Sequence, residues 1–147
     1  MSLYLGIDVG TQSTKALVYD PENSKVLSKG QYSYGLISNE NGGAEQNPSV
    51  WIDGVVNAVS EALEKSGNRS KIEGIGVSGQ QHGFVALDSK NDVIRPAKLW
   101  CDVETEKEAE YLSNVVGKPI PVRFTASKIL WMKKHEPENF SKLDTVL

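Results

Sequence analysis

The chain has 147 residues, 39% of them hydrophobic and 24% charged, with a net charge of −3. That is enough for one domain with a core, and it excludes a disordered chain or one with a basic nucleic-acid patch. No apolar run is long enough to cross a bilayer, and the single cysteine, Cys101, excludes an intrachain disulfide or a zinc site built on several cysteines.

The chain runs directly into an apolar stretch, with no basic segment ahead of a leader-like run, so a cytoplasmic protein is expected. The alternation predicts one strand over Leu3 to Asp8, a second over Thr14 to Asp20 and a third over Lys25 to Tyr34. Short connections, including the turn Asp20-Pro21-Glu22-Asn23, make these an antiparallel meander. Gly35 to Asn47 is polar, contains Asn41-Gly42-Gly43 and reads as a mobile loop.

Asn47-Pro48 starts a helix, with Asn as cap and Pro at the first helical position. Trp51, Val55, Val59, Ala62 and Leu63 recur at helical spacing, and Gly67-Asn68 ends the element. Strands are predicted over Ile72 to Ser78 and Phe84 to Asp88, followed by a turn at Ser89-Lys90-Asn91-Asp92 and a short strand at Lys98-Leu99-Trp100. Thr105 to Val116 reads as an amphipathic helix using Ala109, Leu112 and Val116, stopped at Gly117-Lys118-Pro119. Ser127 to His135 reads as a further helix, stopped by Glu136-Pro137 and apolar nearly all round at Ile129-Leu130-Trp131-Met132. Leu143 to Leu147 reads as the beginning of another strand.

The first turn is the most telling stretch. Asp8-Val9-Gly10-Thr11-Gln12-Ser13-Thr14-Lys15 puts an acid at a strand end, then a small hydroxylated turn, then a cation. An acid so placed can hold a hydrated divalent ion. Gly10 allows close backbone approach to an anion, Thr11 and Ser13 add hydroxyl donors, and Lys15 adds positive charge. The group suits the terminal phosphates of a magnesium nucleotide. Spacing alone leaves a plain hairpin turn open beside that reading; the turn is neither a Walker loop nor a dinucleotide fingerprint.

The order of meander, phosphate turn, helix and strand resembles the ribonuclease-H-like fold of actin, hexokinases, heat-shock chaperones and the FGGY carbohydrate kinases. Gly76-Val77-Ser78-Gly79-Gln80-Gln81-His82-Gly83 is similar to the Ser-Gly-Gln-x-His-Gly segment of xylulokinases. Pro96 to Thr105 resembles the Trp-x-Asp segment that follows it, and Thr125-Ala126-Ser127-Lys128-Ile129-Leu130-Trp131 resembles the family's Thr-x-x-Lys-x-x-Trp helix. Each segment alone is weak; the four in family order are specific.

The resemblance implies an α/β, actin-like ATPase domain, with a mixed sheet flanked by helices and incomplete here. Residues 1–147 would be part of the N-terminal kinase domain, with the C-terminal nucleotide-binding domain absent. It implies ATP and Mg2+, with Asp8 holding the metal through water. Gly10, Thr11, Gln12 and Ser13 would line the terminal phosphates, and Lys15 would sit near the transferred phosphoryl group. Gln81 and His82 match the sugar-contacting pair of xylulokinases, which is Arg-Glu in the glycerol kinase branch. Trp100 and Asp102 would line the sugar cleft. The plainer readings stay open: a solvated Lys15, a strand-end Asp8, a core His82, a packed Trp100. Glu104 stands where many relatives carry Arg and departs from the pattern. Lys128 and Trp131 read as structural, and His135 as a helix-end residue favoured by the dipole.

The implied reaction is transfer of the ATP γ-phosphoryl group to a ketopentose such as D-xylulose. Ribulose, gluconate or glycerol kinases and a non-catalytic sugar-binding or actin-like fragment are the alternatives. The expected partners are a small sugar and ATP, with no nucleic acid and no membrane, and a homodimer is left open. No general base is assigned, because Asp20, Asp53, Asp88, Asp92 and Asp144 match no family motif.

Overall fold

A computed structural model describes residues 2–147. In chain order the elements are β1 (Leu3–Val9), β2 (Ser13–Asp20), β3 (Lys25–Ser33), β4 (Ile37–Ser38), β5 (Ala44–Gln46) and α1 (Ser49–Ser66). A single 3₁₀ turn (Arg69–Lys71) leads to β6 (Ile72–Gly79), β7 (Ala86–Leu87) and β8 (Ala97–Lys98). The helices α2 (Glu106–Val116), α3 (Thr125–His135) and α4 (Pro137–Phe140) and the strand β9 (Thr145–Val146) complete the chain. These elements make two compact units.

The first unit comprises the residues up to Gly35 together with Ser49–Gln80. Its sheet has the order β3-β2-β1-β6; β1–β2 and β2–β3 pair antiparallel and β6 lies parallel to β1. The meander and the mixed sheet are as the sequence predicts. Period-two alternation sends Leu3, Leu5 and Ile7 of β1 and Ala16 and Val18 of β2 into one core beneath α1. Val55, Val59 and Leu63 pack against that core, as their spacing predicts, but the fully enclosed row of α1 is Ala58 and Ala62.

Small residues dominate there because helix and sheet backbones nearly touch. A Cβ on Gly30 would stand 2.1 Å from the Ala58 carbonyl oxygen. The Ser28 hydroxyl donates to the Ala62 carbonyl at 2.6 Å across the same contact. On β6, Ile75 and Val77 register with Leu5 and Ile7. They are nevertheless 65% and 69% exposed, because α1 covers the β3-β2-β1 part of the sheet.

The second unit comprises Leu36–Pro48 and Gln81–Leu147. The segment expected as a mobile loop is built here into β4 and β5, which pair antiparallel, with β8 on the far side of β5. The Asn39 side chain makes the tight turn, accepting from the amides of Asn41 and Gly43 at 3.0 and 2.8 Å. Phe84, Ala86 and Met132 form the core of this unit. The expected strand over Phe84 to Asp88 narrows to β7 plus one bridge from Phe84 to Lys98, and the final strand is present as β9, antiparallel to β7.

The helices deviate in detail. Val116, assigned to the buried face of α2, is 55% exposed, whereas Glu108 on that helix is buried. Gly117 closes α2 with φ 71°, the left-handed position that favours glycine. Pro137 both ends α3 and supplies the first residue of the short α4, where the sequence signals only a stop.

Gly30→Ala forces a methyl into backbone atoms that cannot rotate away. It is expected to destabilise the chain by about 3 kcal/mol, read as a lowered urea midpoint with an unchanged slope. A midpoint equal to that of the parent would refute the backbone contact.

Candidate functional site

The acid-tipped strand end lies in the first unit. Asp8 is exposed near the end of β1, opposite Lys15 on β2 and beside Ser78 on β6. The turn that follows closes with the Gly10 amide donating to the Ser13 carbonyl at 3.0 Å. Gly10, Thr11 and Ser13 are partly exposed and Gln12 is exposed, so the whole turn reaches solvent. The structure thus brings together Asp8, the 10–13 turn and Lys15, the first group of residues singled out from the sequence.

Tyr34, which carries no motif signal in the sequence, clasps this turn. Its amide donates to the Gln12 carbonyl at 3.0 Å and its hydroxyl to the Gly10 carbonyl at 2.6 Å. The Thr14 hydroxyl lies 3.2 Å from the same phenolic oxygen. Burial pushes the Tyr34 hydroxyl above the ordinary tyrosine value, the negative charge of Asp8 adds to this, and the Thr14 bond opposes it. Tyr34 therefore stays a protonated donor. Gln80 braces the other side: its amide donates to the Val9 carbonyl at 3.1 Å and its side-chain oxygen accepts from Thr11 Oγ1 at 3.3 Å. Among the described residues the enclosed Gln80 Nε2 has no hydrogen-bond partner. Gln80 stands inside the Ser-Gly-Gln segment, so the motif signalled it without telling its partner.

An open pocket of about 670 Å³ lies on the sheet face beside the turn, lined in part by Gly6, Asp8, Lys15, Leu17, Gly76 and Ser78. An exposed carboxylate with one hydroxyl-bearing neighbour, Ser78, offers hard oxygen donors, and it fits a hydrated magnesium ion.

Gln81 and His82 follow β6 and belong to the second unit. Both are exposed, so His82 is not a core histidine. His82 has φ 60°, a left-handed conformation uncommon outside glycine. Its ring stacks on Phe124, with centroids 4.8 Å apart and planes 22° from parallel. Trp100 is 45% exposed.

Asp102 is placed differently from a cleft-lining residue. It is fully buried; its Oδ2 accepts from the Ala44 amide at 2.9 Å and from Lys98 Nζ at 3.1 Å, while Oδ1 has no hydrogen-bond partner. The centre of this cluster is Lys98, itself fully buried. Its ammonium also reaches Glu104 at 2.6 Å and Glu45 at 3.1 Å, and lies 3.9 Å from the centroid of the Trp131 ring. Arg95 joins from the side, bonding Glu45 at 2.6 Å and Glu136 at 2.9 Å. Glu104, the departure from the family pattern, thus has a local reason: it is one of the carboxylates that neutralise Lys98.

Glu45, Asp102 and Glu104 lie close enough to hold a metal ion, but the Lys98 ammonium already occupies the space between them. Burial alone would push Lys98 down. The hydrogen bond with Glu104, the charge of Asp102 and the bonds with Glu45 and Asp102 outweigh it and hold the ammonium above the ordinary lysine value. Burial likewise pushes Glu45 up, and Arg95 and Lys98 together reverse this and hold it below the usual carboxylate range. Trp131 is structural, as expected, forming one wall around Lys98. His135 is more than a helix-end residue: its ring stacks on Trp131 at 5.0 Å and its Nε2 lies 3.6 Å from Glu108.

The model of the FGGY family of carbohydrate kinases, N-terminal domain, matches residues 3–147. The chain is 37% identical over 160 residues to the xylulose kinase of Haemophilus influenzae, covering 99% of this chain and 32% of that protein. The crystal structure of xylulose kinase from Rhodospirillum rubrum superposes with a TM-score of 0.89 at 26% identity, covering 98% of this chain and 31% of that one. The gluconate kinase of Lactobacillus acidophilus superposes with a TM-score of 0.86 at 27% identity, covering 99% and 31%. The chain therefore spans about a third of the length of the relatives it matches. A mixed sheet flanked by helices, with its acid-tipped first strand, has the actin-like ATPase fold of the sugar kinases. Within that class the chain belongs to the FGGY family of carbohydrate kinases.

Two outcomes test these local structures. Lys98→Met leaves buried carboxylates without a counter-charge and is expected to cost about 3–5 kcal/mol at pH 7. Glu45 contributes stability above the unfolded carboxylate range and loses it as pH falls through its depressed folded value. The gap between parent and variant should therefore narrow below about pH 4, measured by denaturation across pH; a constant gap would refute the coupling. Tyr34→Phe keeps the ring and loses the clasp on Gly10, at an expected cost of about 1 kcal/mol. Amide exchange should then speed up in residues 10–13 ahead of the rest of the sheet.

Proposed function

We propose that this chain is the N-terminal part of a cytoplasmic xylulokinase, which transfers the γ-phosphoryl group of ATP to the terminal hydroxyl of D-xylulose. The carrying observation is the Gln81-His82 pair, exposed after β6, in a chain 37% identical to a xylulose kinase. In this reading the domain supplies two half-sites, one for phosphate and one for sugar.

At the first, Gly10, Thr11, Gln12 and Ser13 receive the terminal phosphates. Tyr34 and Gln80 keep that turn in shape before the nucleotide arrives, so little reorganisation is needed on binding. Lys15 offsets charge on the transferred group, and Asp8 holds Mg2+ through water. Magnesium, when bound, neutralises phosphate charge and aligns the transferred group.

At the second half-site, Gln81 and His82 bond adjacent sugar hydroxyls and Trp100 offers an apolar wall. A substrate lacking one of those hydroxyls would leave polar groups unpaired, which is the basis of discrimination. Asp102 acts behind the cleft, through Lys98. The sugar oxygen forms its bond to the γ-phosphorus as the bridging bond to ADP breaks, and its proton passes to a general base. Asp20, Asp53, Asp88, Asp92 and Asp144 are not that base in this reading. The base and the adenine pocket are supplied by the part of the enzyme outside the matched third.

The gluconate kinase superposition supports a second reading, a family member with another acceptor. A coupled ADP-release assay on a complete enzyme carrying this domain separates them, with D-xylulose, D-ribulose, gluconate and glycerol as acceptors. D-xylulose is expected to give the highest kcat/KM, and a higher value for any other acceptor refutes the assignment. In that enzyme His82→Ala should lower kcat/KM for D-xylulose about 100-fold or more, leaving the KM for ATP little changed. The 147-residue chain alone is expected to show negligible transfer. Turnover of about 1 per second, the lower end for kinases, would overturn that expectation.

A further inference from the structure

His82 combines an exposed ring with a left-handed backbone, so something else must fix its direction. Phe124 lies directly against its ring. Phe124 in turn sits at the last residue before α3, in a segment whose carbonyls converge on one buried cation. Lys128 Nζ donates to the carbonyls of Arg123, Phe124 and Val122 at 2.7, 3.3 and 3.4 Å, and Lys128 has no exposed surface. Ser127 Oγ lies 2.9 and 3.0 Å from the Phe124 and Val122 carbonyls. One residue beyond Phe124, Thr125 Oγ1 donates to the Gly83 carbonyl at 3.0 Å and so ties the start of α3 to the residue after His82.

We propose that Lys128 is a positioning residue for His82: by gathering the 122–124 carbonyls it holds Phe124 under the imidazole, which fixes the ring for the sugar. This role rests on the reading of His82 as a sugar contact given above. A lysine serves here because three converging carbonyls need three donors on one compact head, and the ammonium has three. Its hydrogen-bond partners are backbone carbonyls rather than a carboxylate, so its donors are committed to the 122–124 segment. Burial pushes Lys128 down to about 8, the negative charge of Asp102 opposes this, and Lys98 adds to it. A costly buried cation aimed at one short segment marks that segment as one whose geometry matters. The alternative role is a plain staple for the start of α3, which would affect stability alone.

The two roles separate by spectroscopy. The chain has two histidines, so imidazole Cε1–H signals of the 147-residue chain read His82 and His135 individually. Stacking on Phe124 should hold the His82 signal upfield, and Phe124→Leu should move it downfield. Lys128→Met keeps the length and loses the donors. It is expected to move His82 in the same direction as Phe124→Leu, with His135 little changed. A Lys128→Met chain with a lower unfolding midpoint and an unmoved His82 signal overturns the positioning role. If Lys128→Met does not fold, Lys128→Gln carries the same comparison: a downfield His82 signal supports the positioning role and an unmoved one overturns it.

D-xylulose added to the parent chain is expected to shift His82 saturably, with the midpoint raised roughly tenfold in the variant, as misplacement of a contact group does. A His82 ring that responds to the Lys128 substitution but not to D-xylulose overturns the sugar role while the clamp stands. An unmoved ring overturns the clamp itself.

Discussion

One buried ammonium organises the second unit. Lys98 is fully enclosed, and three carboxylates and one indole face lie around it. Taking such a charge out of water is expensive, and the mutual attraction repays it only where every partner is in place. The constraint therefore propagates outward: Glu45 fixes β5, Asp102 fixes the amide of Ala44, Glu104 fixes the approach to α2, and Trp131 fixes α3. The backbone of the same residue accepts from the Phe84 amide at 2.8 Å. The chain just after His82 is thus tied to the residue whose side chain holds the cluster together. Replacing the arrangement with apolar groups of equal volume would need coordinated changes at several positions, which explains how a costly interior charge can persist.

The first unit rests on a different constraint, closeness of backbones. Gly30 and the alanines of α1 bring helix and sheet nearly into van der Waals contact, so the sheet presents its first turn from a stiff base. Tyr34 then stiffens the turn itself by bonding the carbonyls of Gly10 and Gln12. A turn held in this way keeps its shape without any reordering of its backbone. The exposed Ile75 and Val77 on β6 are the counterpart: the pattern of a buried strand occurs there without a covering layer.

The two units use charge in opposite ways. At the turn the charged groups Asp8 and Lys15 are left in solvent. In the second unit Lys98 and Arg95 pair with carboxylates in the interior, while Gln81, His82 and Trp100 are exposed.

The sequence by itself determined the meander, the presence of the β6 strand, the three main helices and the turn that follows Asp8. These are local matters, written in alternation, helical spacing and glycine, proline and asparagine at the breaks. It also determined the family, because four short segments occur in one order. Only the tertiary structure decided the roles of Lys98, Asp102, Glu104 and Lys128, since a charged residue in a sequence looks the same whether it meets water or a buried partner. Asp102 and Glu45 stand 57 residues apart in the chain, yet the same ammonium binds both. The clasp by Tyr34 and the stacking of Phe124 on His82 were equally beyond a linear reading, because both pair residues whose chain separation carries no period. Spacing reports which face a residue occupies, and only folding brings distant faces together.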